Sequence, residues 1–128
     1  MLLETNVYIK SISLLDSDYT PPDLQLLKRL QVLMEQDFRA NRDVNVYAKK
    51  LNFSLRFLNK LTRAYLNQTV YELLQDRIHE EALRLLQYST LSVKEIAFEI
   101  GCSDSPYFCR CFKARTGESP SHFRKKIV

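Results

Sequence analysis

The stretch DVNVYAKKLNFS (43–54) can be laid on SVKEIAFEIGCS (92–103). After one extra residue in the second copy, LNKLTRAYLNQTVYEL (58–73) lies on FCRCFKARTGESPSHF (108–123). This repeat constrains the chain more than any other feature, because both copies must share one local fold. Asp43 matches Ser92, and both are good helix N-caps. Val44, Tyr47, Ala48 and Leu51 match Val93, Ile96, Ala97 and Ile100. Asn52 matches Gly101 where the first helix must stop, and both tolerate left-handed dihedrals. Leu58 then pairs with Phe108, Lys60 with Arg110, Arg63 with Lys113, Asn67 with Gly117 and Thr69 with Ser119.

Each copy reads as helix, tight turn, helix. In the second, Ser92 and Glu95 make a capping box, and Val93, Ile96, Ala97 and Ile100 form one apolar stripe at helical spacing. Ser103, Asp104 or Ser105 caps the next helix, and Pro106 is tolerated in its first turn. Small Ala48 and Ala97 let the paired helices cross closely. Between the copies, residues 70–88 contain no Gly or Pro and place apolar residues at 70, 74, 78, 82, 85 and 86. They predict one continuous helix roughly 27 Å long. Residues 21–38 predict another helix, with Leu26, Leu27, Leu30, Leu33, Met34 and Phe38 padding the first module. In residues 1–20 the pattern is unclear: Val7, Ile9 and Ile12 can make a short strand, or the segment is flexible. With 128 residues, the chain suits one compact domain or two small ones sharing a spine, and its 2 Gly and 4 Pro favour helices.

Charge is unevenly spread. Residues 1–43 hold five bases against seven acids, whereas residues 44–128 hold 14 bases against 8 acids. From Arg110 onward six bases face the single acid Glu118. A small domain with a basic end suggests a polyanion partner. No apolar run is long enough to span a bilayer, and the N-terminus is a poor signal peptide, so the chain reads as cytoplasmic. The sequons NFS (52–54) and NQT (67–69) are then chance matches. There is no Gly-rich phosphate loop, and neither His79 nor His122 has an evident nucleophile partner; no enzyme, cofactor or metal site is expected. His79 reads as a surface residue beside Glu80 and Glu81, and His122 as a surface residue near the basic tail. Cys109 and Cys111 lie about 200° apart around a helix, so they cannot share a metal. Cys111 is expected in the core with Phe108 and Phe112, and Cys109 at the edge of the exposed side.

The second helix of a helix-turn-helix buries one face and offers the other to the DNA major groove, where base edges present distinct donor and acceptor patterns. Two units on a spine of this length can reach groove segments about one turn (~34 Å) apart. Over residues 40–126 the chain resembles the DNA-binding domain of the AraC/XylS family of bacterial transcription regulators. The likeness is strongest across LSVKEIAFEIGCSDSPYFCRCFKARTGESPSHFRK (91–125), through Ile96-Ala97, Gly101, Tyr107-Phe108, Arg110, Phe112-Lys113, Gly117, Pro120 and Phe123-Arg124. There are departures: Cys102 and Thr62 stand where the family usually has Phe, Asn67 where it has Gly and Val70 where it has Pro. The first unit is the more divergent.

The resemblance implies an all-α fold: two helix-turn-helix subdomains, homeodomain-like three-helix units, joined by a long central helix. It implies a DNA-binding domain over 21–128, with the first helix-turn-helix at about 43–66, the linker helix at 70–88, the second unit at 92–116 and a basic tail at 117–128. The function it implies is sequence-specific binding of double-stranded promoter DNA, usually to activate transcription. Contact with RNA polymerase is implied too, and so is dimerisation through a further N-terminal domain. The positions of Arg56, Asn59, Lys60, Ser105, Pro106, Tyr107 and Arg110 correspond to the family's base-facing residues. Arg110 suits a guanine O6/N7 pair and Asn59 an adenine. Arg63, Lys113, Arg124, Lys125 and Lys126 are expected on phosphates. Tyr47 and Tyr107 are expected to pack, with hydroxyls reaching out. The rival reading is a helical protein-interaction module whose basic face docks an acidic protein.

Overall fold

What the chain does first is stop and restart helices at four residues that prefer left-handed backbone. Asn52 (φ 62°), Asn67 (φ 57°), Gly101 (φ 86°) and Gly117 (φ 85°) occupy paired places in the two copies. Asn and Gly are the residues that visit this region at low cost. The structure is a computed structural model and describes residues 21–127. The strand considered at Val7, Ile9 and Ile12 lies outside them. The described residues form seven helices and no strand, in agreement with the all-α expectation. In chain order these are α1 (Pro22–Asp37), α2 (Val44–Leu51), α3 (Leu55–Leu66), α4 (Val70–Tyr88), α5 (Val93–Glu99), α6 (Ser105–Thr116) and α7 (Pro120–Ile127). They belong to two compact units, one ending at Asp76 and the other beginning at Arg77, so the division falls within α4.

In the first unit, α1 packs on α2 and α3. Leu26, Leu27, Leu30, Met34 and Phe38 are buried from α1 and the residue that follows it, and Tyr47, Ala48, Leu51, Leu58, Leu61 and Leu66 from the helix pair. Fully burying one such large side chain contributes about 1.5–3 kcal/mol, whereas a cap contributes about 1 kcal/mol, so packing decides the fold and caps decide its boundaries. Asp43 accepts from the Asn45 N–H at 3.0 Å to start α2, and Ser54 accepts from the Phe57 N–H at 3.1 Å to start α3. Tyr47 packs as expected: it is wholly buried, and its hydroxyl donates inward to the Asn41 carbonyl at 2.8 Å. Burial, with the Asp37 charge nearby and despite Arg42, pushes that phenol up to about 12.

The second unit repeats the plan. Ser92 and Glu95 complete the capping box that opens α5, with bonds of 3.0 and 2.9 Å. Hydrogen bonding to the carboxylate, from the Ser92 backbone N–H first and the Ser92 side chain second, holds the Glu95 carboxyl below its ordinary value. Of the three candidate caps for α6 the structure selects Asp104, which accepts from the Tyr107 N–H at 3.0 Å. Ile96, Ala97, Ile100, Phe108 and Phe112 form the core with Ile78, Ala82 and Leu86 of α4. Phe112 meets Phe108, Phe123 and His79 at ring-centroid distances of 6.0, 5.7 and 5.4 Å. His79 is therefore a half-buried packing residue of this cluster, where its neighbours Glu80 and Glu81 had suggested plain surface.

The cysteines exchange places relative to expectation: Cys111 is exposed and Cys109 half-buried. Phe108 and Phe112 fix only part of the inward arc. Half-buried Ser105 and Thr116 extend it on the Cys109 side, leaving Cys111 outside.

Gly117 and Asn67 test the role of backbone in the repeat. A side chain at Gly117 would meet no atom within 4 Å, so only its dihedral restricts substitution. Gly117→Asn should therefore melt close to the parent chain, whereas Gly117→Ala should lose about 1–2 kcal/mol in urea melts.

Candidate nucleic-acid interface

Burial of Leu58, Leu61, Thr62 and Leu66 turns one side of α3 into the first unit. At 100° per residue the opposite side is centred near Lys60, with Arg56 and Arg63 on one flank. All three cations are exposed, and with Ser54 and Phe57 they line an open concavity of about 500 Å³. A low-lying surface bordered by three cations suits a polyanion more than an apolar ligand.

The structure corrects one outward assignment on this helix. Asn59 is half-buried, and its side-chain carbonyl accepts from the backbone N–H of Val70 at 2.9 Å. It thereby satisfies a donor in the first turn of α4, which has no intrahelical partner. Bidentate reading of adenine needs both the carbonyl and the amide of that side chain, and the carbonyl is committed here. Thr62, in place of a larger residue, is fully buried and its hydroxyl donates to the backbone carbonyl of Asn59 at 3.2 Å.

On α6 the outward side carries Pro106, Tyr107, Arg110, Cys111 and Lys113, all exposed, with Ser105 half-buried at its start. Tyr107 had been expected to pack, yet it is 53% exposed. Its ring lies 5.8 Å from the Arg110 guanidinium, close enough for a cation–π contact that steadies the arginine. Lys125 and Lys126 are exposed on α7, and Lys126 pairs with Glu118 at 2.6 Å. Exposed pairs of this kind contribute about 0–1 kcal/mol, so a phosphate can displace the glutamate. His122 lies 3.8 Å from the same carboxylate.

Arg124 is a second correction. Its Nε donates to the Leu86 carbonyl at 3.2 Å, and its Nη2 donates to Leu85 and Ser89 at 3.3 Å each. Its Nη1 donates to the Leu91 carbonyl. These bonds occupy four of its five N–H groups. Helical partners run out in the last turn of α4, although the Leu85 carbonyl also accepts from the Ser89 N–H at 3.1 Å, and a cation there opposes the negative end of the helix dipole. The guanidinium is thus a clamp on the α4 terminus and the loop leading to α5, and is not presented to a phosphate.

Sequence reasoning also missed a buried charge. Glu81 is 2% exposed on α4 and accepts from Arg77 at 3.2 Å and from the Arg84 Nε at 2.8 Å. Burial pushes its carboxyl up, but the bonds and charges of Arg84 and then Arg77 outweigh that and hold it below its ordinary value. The signal was the i−4 and i+3 spacing of two arginines around one acid. Among the described residues no cluster of metal-ligating side chains occurs, and no helix is long and apolar enough to cross a membrane.

Two helix-turn-helix pairs, each with cations on the outer arc of its second helix, define the class of a double helix-turn-helix DNA-binding domain. A family model described as a helix-turn-helix domain matches residues 47–126. The Msm operon regulatory protein of Streptococcus mutans is 34% identical over 101 residues, covering 79% of this chain and 36% of that protein. The arabinose operon regulatory protein of Escherichia coli is 28% identical over 123 residues, covering 96% of this chain and 42% of that protein. The C-terminal domain of AraT, a response regulator from Geobacillus stearothermophilus, superposes with TM-score 0.70 at 26% identity, covering 86% of this chain and 88% of that one. The C-terminal domain of a response regulator from Fusobacterium nucleatum shares the fold, with TM-score 0.70 at 24% identity over 76% of this chain and 95% of that one. The chain belongs to the AraC/XylS family of helix-turn-helix transcription regulators. It spans well under half the length of these curated relatives.

Arg124 and Glu81 each have a distinct experimental signature. Arg124→Ala should lower stability by about 2–3 kcal/mol in urea melts, the range for hydrogen bonds to a charged group and for breaking a buried network. For Glu81 the folded-state value is depressed, so its stabilisation is present above about pH 4.5 and fades as pH falls through the folded value. Urea melts across that window should show a shallower acid loss for Glu81→Gln than for the parent chain.

Proposed function

We propose that this chain binds double-stranded DNA sequence-specifically through α3 and α6, as part of a regulator that activates transcription at promoters. The observation that supports this reading most is the matched placement of Lys60 and Arg110. Each is exposed near the middle of the outward arc of the second helix of its unit, in the same register of the repeat. A position in the N-terminal half of a recognition helix meets base edges, and an arginine there bonds guanine O6 and N7.

Within that reading, Arg56, Lys60, Ser105, Pro106, Tyr107 and Arg110 face bases. Arg63, Lys113, Lys125 and Lys126 hold phosphates, which fix register without reading sequence. The Asn59 amide is left to contribute only through its donor side. Activation is supported by relatives such as the HTH-type transcriptional activator RhaR of Salmonella dublin, 29% identical over 99 residues, 77% of this chain and 35% of that protein. Contact with RNA polymerase, dimerisation through a further N-terminal domain and a cytoplasmic, nucleoid-bound location complete the proposal for the whole regulator.

A selection from random oligonucleotides, followed by binding titrations at several salt concentrations, tests the reading. Retention should be sequence-dependent and fall steeply with salt. Arg110→Ala should cost about 1–3 kcal/mol and relax preference at one base pair, whereas Lys125→Ala should weaken all duplexes alike and reduce the salt slope by about one. Retention of an acidic protein with no sequence-dependent retention of DNA would overturn it in favour of a protein-docking module.

A further inference from the structure

The outward arc of α3 holds a residue that phosphate binding does not require. Phe57 is half-buried and lines the concavity with Ser54, Arg56, Lys60 and Arg63. Phe53, itself 42% exposed, stacks on it with centroids 5.4 Å apart and planes inclined by 21°. Apolar area left in water forgoes about 25 cal/mol per Å², so a stacked aromatic pair among three cations is a cost to the isolated chain. The second unit repeats part of the arrangement, with Cys102 where the first has Phe53. Tyr107 occupies the register of Phe57, is exposed, and stands beside Arg110 as Phe57 stands beside Lys60. Both aromatics are also at the same helical position, since each N–H bonds the N-cap side chain three residues earlier, Ser54 or Asp104. Residues in that first turn of a recognition helix are the ones that meet base edges.

The apolar group that base edges offer in the major groove is the thymine 5-methyl. We infer that Phe57 reads a thymine in the first unit's half-site by packing against its methyl group, with Phe53 bracing the ring. Bracing matters because a ring already held in place loses less rotamer freedom on binding. The inference rests on the DNA-binding reading above and adds to it a specificity residue in the unit whose sequence has departed furthest from its family. It also supplies a source of base preference where the Asn59 carbonyl is committed elsewhere.

The test uses the full chain and a duplex taken from the selection, with each thymine replaced in turn by deoxyuridine, which lacks only the methyl group. Affinity should fall about fourfold at one thymine in the first half-site, the worth of one buried methyl group. Phe57→Ala should remove that difference at that position and nowhere else. Phe57→Leu, which keeps apolar bulk, should retain most of it and guards against a variant that simply unfolds; circular dichroism checks both. Deoxyuridine tolerated at every position, or a loss that persists in Phe57→Ala, overturns the assignment while leaving sequence-specific binding intact. Absence of sequence-dependent binding by the parent chain sinks the DNA-binding reading and this inference with it.

Discussion

Everything the two recognition helices present outward is decided by what they bury. Leu58 in α3 and Phe108 in α6 are each driven into the core of their own unit, and a helix has only one rotation about its axis that satisfies such a stripe. Once Leu58, Leu61 and Leu66 are inside, Arg56, Lys60 and Arg63 have no direction left but outward. The same holds for Arg110 and Lys113 once Phe108 and Phe112 are inside. The face this domain offers to a partner is therefore a by-product of a non-specific force. Apolar burial aims the helix, and the residues it leaves in water can change without disturbing the aim.

The two units solve their shared backbone problem differently. Unit 2 uses glycines at both left-handed positions, and unit 1 uses asparagines. Both work, because the requirement is on dihedral angle and not on side chain. The substitutions that make unit 1 look divergent are local adjustments of the same kind. Thr62 fills its place with a fully buried side chain whose hydroxyl bonds the preceding turn, and Val70 contributes an N–H that Asn59 accepts.

Much of this architecture was legible in the sequence because it depends on periodicity and on caps, which are short-range. The capping box at Ser92, the helix stops at Asn52 and Gly101, and the apolar rows of α1 and α4 all follow from neighbours within one or two turns. What escaped was long-range or angular. Cys109 and Cys111 flank the same two phenylalanines, and only the weak pull of Ser105 and Thr116 decides between them. Arg124 looked like part of a basic tail because its neighbours Lys125 and Lys126 are exposed, while its partners lie 33 to 39 residues away in the chain. Asn59 looked outward because it lies beside Lys60, yet 100° of rotation separates consecutive residues and puts it at the edge of the core.

The distance in sequence over which Arg124 reaches has a consequence for how unit 2 is closed. The α5–α6 hairpin closes over a few residues, with Gly101 and Asp104 already shaping its turn. Docking α7 onto the carbonyls of Leu85 and Leu86 closes a loop of nearly forty residues, and loop-closure entropy grows with length. Those contacts, like the His79–Phe112 contact, depend on the intervening helices to shorten the path, so the guanidinium ties the far end of the unit back to its first helix. The residue that most resembles a surface charge is thus a latch that closes the helical unit on itself.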